Sequence, residues 1–181
     1  MSLLLTPSQF SAGTGGKVSA SDPRVQPLLD GAEAAIQRFC GWHVAPSITE
    51  TRLLDSPGGI EISLPTLRLT AVTGAKASGT PIDVSLLEWS ALGQVRYQRG
   101  WPQGYRSVEL TFTHGFDIAQ VADVQQVIQQ VVANACASPM GATREQAGQL
   151  SASWSMTAPN VSGGISLLER DLRVLEFYRV Y

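Results

Sequence analysis

Two cysteines and two histidines are the residues of this 181-residue chain that could bind a transition metal. Cys40 and His43 lie one helical turn apart, whereas His114 and Cys136 are distant in sequence. A structural zinc site needs four such ligands to converge at about 2.0–2.3 Å from the ion. Only one pair is close, so the pattern favours buried free thiols over a metal site. For His114 we predict a ring hydrogen bond to a nearby backbone carbonyl.

Nucleophilic catalysis needs a nucleophile beside a base, and no such arrangement stands out. There is no G-x-S-x-G motif. Cys40 and His43 lie near a predicted helix C-terminus, where the helix dipole raises the pKa of a thiol. Asp117 and Asp123 are expected as favourable charges near a helix N-terminus and not as an acid–base pair. The sequence therefore predicts no enzyme, no catalytic residue, no cofactor and no metal.

A glycine-rich stretch, Gly13-Thr14-Gly15-Gly16-Lys17, comes near the pattern of a phosphate-binding loop. A P-loop places four residues between its first glycine and the Gly-Lys pair, and then a Ser or Thr that binds magnesium. Here the spacing is shorter, and Val18 follows the lysine. We interpret the stretch as part of a flexible N-terminal segment, residues 1–21.

The composition favours a structural or interaction protein. Charged residues make up 15% of the chain, against about 25% in a typical domain. The net charge is −2 and there is no basic run, so a strong electrostatic grip on nucleic acid is not expected. We find no signal peptide and no apolar stretch of about 20 residues. The expectation is a protein made in a cytoplasm, with no membrane partner.

Apolar periodicity predicts three helices, over residues 22–42, 119–138 and 166–180. The third is predicted to begin with a capping box formed by Ser166 and Glu169. Its apolar stripe consists of Leu168, Leu172 and Leu175. These helices account for most of the apolar residues outside the central part of the chain.

The central residues 44–114 are predicted to form short antiparallel strands. Residues 55–59, Asp-Ser-Pro-Gly-Gly, have the composition of a tight reversal between strands Thr49–Leu54 and Ile60–Leu64. Trp101 is expected to anchor a turn against the sheet.

A long loop or a floppy hairpin is predicted over residues 140–165, which are rich in small residues; such segments tend to be functional or to form a contact arm. The predicted organisation is thus the flexible segment 1–21 followed by a single domain, residues 22–181.

The stretch Val108–Phe116 is the most informative local pattern. Val108, Leu110 and Phe112 point one way and the residues between them the other, which predicts a half-buried strand. A THGF turn and a helix follow, and a last helix reads LLERDLRVLEFYRV. This combination resembles the head-to-tail connector (adaptor) proteins of long-tailed bacteriophages over most of residues 20–180.

The resemblance implies an α+β fold, in which a small helical bundle of three main helices carries an inserted antiparallel β-region between the first and second helices. It also implies a location in the virion neck and a homo-oligomeric ring, usually dodecameric. Such a ring binds the portal protein on one side and a head-closure (stopper) or tail-terminator protein on the other. DNA passes through it without sequence specificity. The alternatives are another neck or tail-completion component, or a small cytoplasmic enzyme with an unrecognised site.

The resemblance also implies that the C-terminal segment docks on the portal. The segment carries an i,i+4 ion pair of favourable polarity, from Glu169 to Arg173. Its candidate contact residues, together with one tryptophan of the arm, are Arg170, Arg173, Phe177, Tyr178, Arg179, Tyr181 and Trp154. Aromatic and arginine side chains are the types that most often anchor interfaces.

Overall fold

The computed structural model describes residues 4–137, 144–147, 150–153 and 165–180. In these ranges the protein is rich in β-structure, with seven strands in two antiparallel sheets, one further hairpin and four α-helices. The helices are α1 (Pro7–Gly13), α2 (Val25–Cys40), α3 (Ala122–Ala137) and α4 (Glu169–Leu175). The strands are β1 (Ile48–Ser56), β2 (Gly59–Ser63), β3 (Leu69–Ala77), β4 (Thr80–Ile82), β5 (Leu87–Trp89), β6 (Gln94–Trp101), β7 (Gly104–His114), β8 (Arg144–Ala147) and β9 (Leu150–Ser153).

The chain forms two compact units. The helical unit comprises Met1–Cys40 and Val121–Phe177, and the β unit comprises Gly41–Gln120 and Tyr178–Tyr181. In the helical unit α2 packs against α3, and α4 contacts both. The apolar face of α2 is fully buried at Val25, Leu29, Ala32, Ile36 and Cys40. This face repeats every three to four residues, which is the spacing that places side chains on one side of a helix.

The N-terminal residues of the helical unit are packed against its two long helices. Thr6 and Gln9 form a capping box at the start of α1, and Phe10 is fully buried. The backbone N–H of Leu4 donates to the carboxylate of Glu33 in α2. The carbonyl of Leu4 accepts a hydrogen bond of 2.7 Å from Nε2 of Gln125 in α3. Part of segment 1–21 therefore contributes to the core of this unit.

The predicted fold, a bundle of three main helices around an inserted β-region, is wrong. The described residues include seven strands in two antiparallel sheets, and only two helices, α2 and α3, are long, with 16 residues each. The last helix has seven residues and begins at Glu169. Its first turn is capped by the carboxylate of Asp171, which accepts the Leu168 N–H at 3.0 Å, and not by the predicted Ser166. After Leu175 the chain tightens into a 3-10 turn, Glu176–Tyr178. The periodic pattern of residues 166–180 is thus divided among several conformations and does not form one long helix.

In the β unit the strand order is β1-β7-β3-β4 in one sheet and β2-β6-β5 in the other. The predicted alternation in β7 is confirmed, because Val108, Leu110 and Phe112 are fully buried. On the opposite face Thr111 and Thr113 hydrogen bond through their hydroxyls to threonines of β1, at 2.8 and 2.7 Å. Trp101 is buried in the core shared by the strands, as predicted.

Two strand pairs form a single bent ribbon. The β1–β7 pairing ends with Ser56 opposite Gly104, and the β2–β6 pairing begins with Gly59 opposite Trp101. The residue pairing stays in register between these two pairs. A register shift lies on each side of the junction, between Leu54 and Ser56 in β1 and between Gly59 and Glu61 in β2. A ribbon that passes from one sheet to the next through bulges is the usual way to build a corner between sheets.

The corner explains why the predicted reversal at residues 55–59 is wrong. β1 and β2 do not pair with each other and lie in different sheets. Gly58 and Gly59 have φ angles of 87° and 90°, so these glycines supply the left-handed backbone of a corner. The same residue types occur in a tight turn and in a corner. The two differ in whether the flanking strands pair with each other, as in a hairpin, or with strands of two different sheets, as here.

Candidate partner-binding surfaces

The predicted portal contacts of the helical unit lie on the exposed side of α4. Nη2 of Arg173 pairs with Oε1 of Glu169 at 2.7 Å, which confirms the predicted i,i+4 ion pair. Nε of Arg170 lies 3.4 Å from Oδ1 of Asp171, a carboxylate that is itself buried. Both guanidinium groups are largely exposed, so each can also contact a partner.

A cleft of about 280 Å³ lies between α3 and α4. Its lining includes Asp123, Gln126, Gln130, Arg170, Asp171 and Val174. Phe177, in the 3-10 turn after α4, is 84% exposed. An exposed phenylalanine is suited to partner contact, because burial of its ring on binding is favourable.

Two other predicted contacts, Tyr178 and Arg179, belong to the β unit. The carbonyl of Tyr178 accepts a hydrogen bond of 2.6 Å from Nε1 of Trp42. Its ring packs edge-on against Phe116, with ring centroids 5.6 Å apart. Tyr178 therefore has a role in packing within the β unit, whereas Arg179 is exposed. Trp154 and Tyr181 lie outside the described residues, as does most of the predicted arm.

A buried histidine network in the β unit was not predicted. Nε2 of His114 donates to Oε1 of Glu50 at 2.8 Å, so the predicted bond of this ring to a backbone carbonyl is wrong. It is His43 that contacts such a carbonyl, that of Pro46, at 2.8 Å. Burial, and next the proximity of His43, lower the pKa of His114 to about 4, and burial also lowers the pKa of His43. The neutral rings pack with Trp42 as part of an aromatic cluster.

The pairing of His114 with Glu50 could not be read from local sequence. The two residues are 64 positions apart, and their contact depends on the register in which β1 pairs with β7. Glu33 lies four residues after Leu29 and three before Ile36, so helical spacing places it on the buried face of α2, but its bond to the Leu4 N–H could not be read from local sequence. Burial raises the pKa of the Glu33 carboxyl.

Of the residues considered for metal binding, His43 and His114 pack against each other in the β unit, with ring centroids 4.4 Å apart. The thiol of Cys40 donates to the carbonyl of Leu175 at 3.8 Å within the helical unit. Burial raises the pKa of the Cys136 thiol, which disfavours the reactive thiolate. Within the described parts of the chain, no group of three or more His, Cys, Asp or Glu side chains is placed to hold a metal ion. No helix in those parts is long and apolar enough to cross a bilayer.

The glycine-rich stretch after α1 does not form a phosphate cradle. The backbone N–H groups of Gly15 and Gly16 donate to carbonyls of α1, at 3.0 and 2.9 Å. These donors are therefore already used at the C-terminus of the helix, as in a helix cap. A neighbouring cavity of about 660 Å³ is lined by Thr14, Lys17 and four glutamines of α3, without a convergent acid, base and nucleophile.

Comparison with known proteins identifies the class of fold. No protein-family profile matches the sequence, and no curated protein matches it. Among solved structures, the chain is similar to one from the neck of an empty GTA (gene transfer agent) particle computed with C6 symmetry. The TM-score is 0.61 at 17% identity, and the match covers 98% of this chain and 90% of that one.

A second similar structure comes from the neck of the native GTA particle computed with C12 symmetry. Its TM-score is 0.60 at 15% identity, with the same coverage of 98% and 90%. At such low identity the similarity establishes a shared fold. It covers nearly the whole of both chains, so it includes the helical unit as well as the β unit.

Proposed function

We propose that this chain is a structural neck protein of a phage-like particle. In this proposal it forms a homo-oligomeric ring, a dodecamer, that joins the portal vertex of the head to the head-closure or tail proteins and surrounds the DNA exit channel. The observation that carries the proposal is the fold similarity to neck chains over 98% of this chain. The C6 and C12 symmetries of those assemblies support the ring.

The surface chemistry supports a structural role. His114 pairs with Glu50 inside the β unit, and the buried carboxylate of Asp171 accepts the Leu168 N–H at the start of α4, so these groups serve the packing of their units. The exposed side of α4, by contrast, offers arginines and Phe177 to a partner. We assign Arg170, Arg173, Phe177 and Arg179 to portal contact, and we extend the assignment to Tyr181 and to Trp154 of the arm as contacts with the portal or a neighbouring subunit.

The test is association with the portal. Purified full-length protein is mixed with the portal protein of the same particle, and the product is imaged by electron microscopy. We expect a ring of twelve copies seated on the portal. A protein that never associates with the portal overturns the connector function. A ring that binds only tail proteins identifies the alternative, another neck or tail-completion component.

Point variants test the docking surface without loss of the packed terminus. Arg173→Ala and Phe177→Ala are expected to weaken portal binding by about tenfold each, the effect of losing one interface anchor. Arg24→Ala is the matched control, because Arg24 is also an exposed arginine of the helical unit paired with a neighbouring carboxylate. Normal binding by both docking variants, with unchanged melting temperatures, would place the portal contact elsewhere on the protein.

A further inference from the structure

The strand at one edge of the four-stranded sheet is long and unprotected. β1 has nine residues and pairs with β7 on one side only, so within the described residues its other side offers backbone N–H and C=O groups that no strand pairs with. Edge strands of soluble monomers are usually short, or are interrupted by proline, lysine or a bulge. Between Ile48 and Leu54, β1 has no proline, no lysine and no register shift, and Leu53 is 47% exposed. This edge is therefore suited to a contact with another chain.

The opposite edge of the same sheet is blunted, but an apolar segment follows it. β4 has three residues, and its central one is Pro81, which has no N–H to donate to a further strand. The chain then forms a 3-10 turn, Val84–Leu86, and the short strand β5 at the edge of the other sheet. The apolar rim of this edge consists of three half-exposed side chains, Val84, Leu86 and Trp89. A contact at this edge therefore relies on side chains more than on strand pairing.

The exposed large apolar side chains of the β unit are concentrated at these two edges. The ribbon of β1 and β7 continues into that of β2 and β6, so β1 and β2 form one edge of the unit and β4 and β5 form the opposite one. Within residues 41–120 the exception is Tyr105, which lies at the corner in a bulge of β7 opposite Asp55. The others belong to the first edge (Ile48, Leu53 and Ile60) or to the second edge and the turn after it (Val84, Leu86, Trp89 and Leu92). Exposed apolar patches mark interaction sites, so the β unit is suited to contacts on two sides.

The charged residues of the two edges disfavour DNA as the occupant. In residues 48–63 and 80–89 the one cation is Arg52, and its Nε pairs with Oε1 of Glu50 at 2.6 Å. The remaining charged residues of these segments are acidic, namely Asp55, Glu61, Asp83 and Glu88. Two of these carboxylates, Asp55 and Asp83, accept backbone N–H groups at 2.7 and 2.9 Å. A polyanion finds no free cation at either edge, so a contact there depends mainly on apolar side chains.

We propose that the apolar rim of one copy docks on the β1 edge of the next copy, so that the copies follow one another head to tail. The inference rests on the proposed neck function and names the contact between subunits of its ring. A closed ring of more than two copies needs two different surfaces on each subunit, one for each neighbour. The β unit carries such a pair of surfaces on opposite edges. The similar neck chains come from assemblies of C6 and C12 symmetry, which supports a second copy as the occupant.

Charge-swap variants of the full-length protein test this contact. Leu53→Lys and Trp89→Glu each place a charge in the apolar contact, and each is expected to weaken self-association by about tenfold or more. The double variant is expected to recover most of the loss, because its two new charges have opposite signs and meet between neighbouring copies. Tyr105→Lys is the control, since Tyr105 is 90% exposed but lies in an interior strand of its sheet. Melting temperatures show that each variant is folded.

Self-association is measured by sedimentation velocity at rising concentration and by the native mass of the assembly formed on purified portal protein. High salt is expected to strengthen it, because it screens the acidic groups beside both surfaces. Wild-type assembly by both single variants, or no recovery in the double variant, overturns the contact, while wild-type rings on the portal still support the neck function. A wild-type protein that stays monomeric in both measurements overturns the ring itself. Loss of portal binding by Leu53→Lys with normal self-association would make the portal the occupant of the β1 edge, which contradicts the proposal.

Discussion

The indole Nε1 of Trp42 donates a hydrogen bond of 2.6 Å to the backbone carbonyl of Tyr178, 136 residues later in the chain. This bond fixes the C-terminal residues within the β unit, where the Tyr178 ring also packs against Phe116. Deleting residues 177–181 would remove a hydrogen-bond partner from the buried Trp42. The portal contact is therefore better tested by single substitutions.

Trp42→Phe is expected to lower the free energy of unfolding by about 1 kcal/mol, because it removes this donor but keeps an aromatic ring in the cluster. Trp89→Phe is the control, since Trp89 is 43% exposed at the edge of its sheet and is expected to have little effect. Urea denaturation of both variants measures the difference. Equal stability of the two would mean that the bond contributes nothing.

Gly115→Ala is expected to be strongly destabilising. Gly115 has a φ of 110°, and a Cβ atom there would lie 2.5 Å from the carbonyl oxygen of Pro46 and 2.7 Å from Nε2 of His43. Gly79→Ala separates the two effects, because Gly79 also has a positive φ, 82°, but open space around it. We expect Gly115→Ala to cost about 1–3 kcal/mol more than Gly79→Ala in thermal or urea unfolding. Similar costs would show that backbone conformation alone matters.

The stability of the protein is expected to depend on pH through His114. Its pKa is lowered to about 4 in the folded chain, against about 6.5 when unfolded. Between these values the unfolded state binds more protons, so the free energy of unfolding falls as pH drops from about 6.5 to about 4. Above pH 6.5 this contribution is fully present.

His114→Phe keeps an aromatic ring next to Phe112 but cannot be protonated. We expect the difference in unfolding free energy between wild type and variant to change with pH in that interval and to be constant above it. The carboxylate of Glu50 retains its ion pair with Arg52, at 2.6 Å, so the variant leaves no isolated charge. Parallel pH profiles of the two proteins would contradict the lowered pKa.

Leu175→Ala is expected to lower the free energy of unfolding by about 2–5 kcal/mol, because this leucine of α4 is fully buried in the helical unit. Leu172→Ala, at a half-buried position of the same helix, is expected to cost clearly less. Chemical denaturation of the two variants compares them directly. If both cost the same, the seven-residue helix contributes to the core through both leucines equally.

The features that the sequence predicts well are local ones. The alternation of β7 and the Glu169–Arg173 ion pair each depend on residues within a few positions of each other. The helix α1 also has a local signal, the capping box of Thr6 and Gln9, although the small-residue composition of residues 1–21 predicts a flexible segment. A short polar helix has little periodicity in its sequence. Its stability comes from the burial of Phe10, and that burial can be predicted only when the residues that pack around Phe10 are known.

The features that the sequence does not predict depend on pairing between distant segments. The corner at residues 55–59 has the composition of a hairpin turn. What makes it a corner is the pairing of Ser56 with Gly104 of β7, because β1 does not turn back to pair with β2. The exposed Tyr105 follows from the same pairing, because a bulge exists only relative to a partner strand. The contact between His114 and Glu50 is also a consequence of register. The candidate docking residues at the C-terminus follow from residue type together with the resemblance to connector proteins, whereas the corner follows only from strand pairing.

The position of β7 in its sheet has a consequence for synthesis of the chain. β7 lies between β1 and β3, yet it is the last strand of the β unit to leave the ribosome. Until residues 104–114 emerge, β1 has no partner in its sheet, and β3 has only the short β4. The nascent β unit therefore carries open strand edges through most of its translation, which is the period when chaperones would protect it from aggregation.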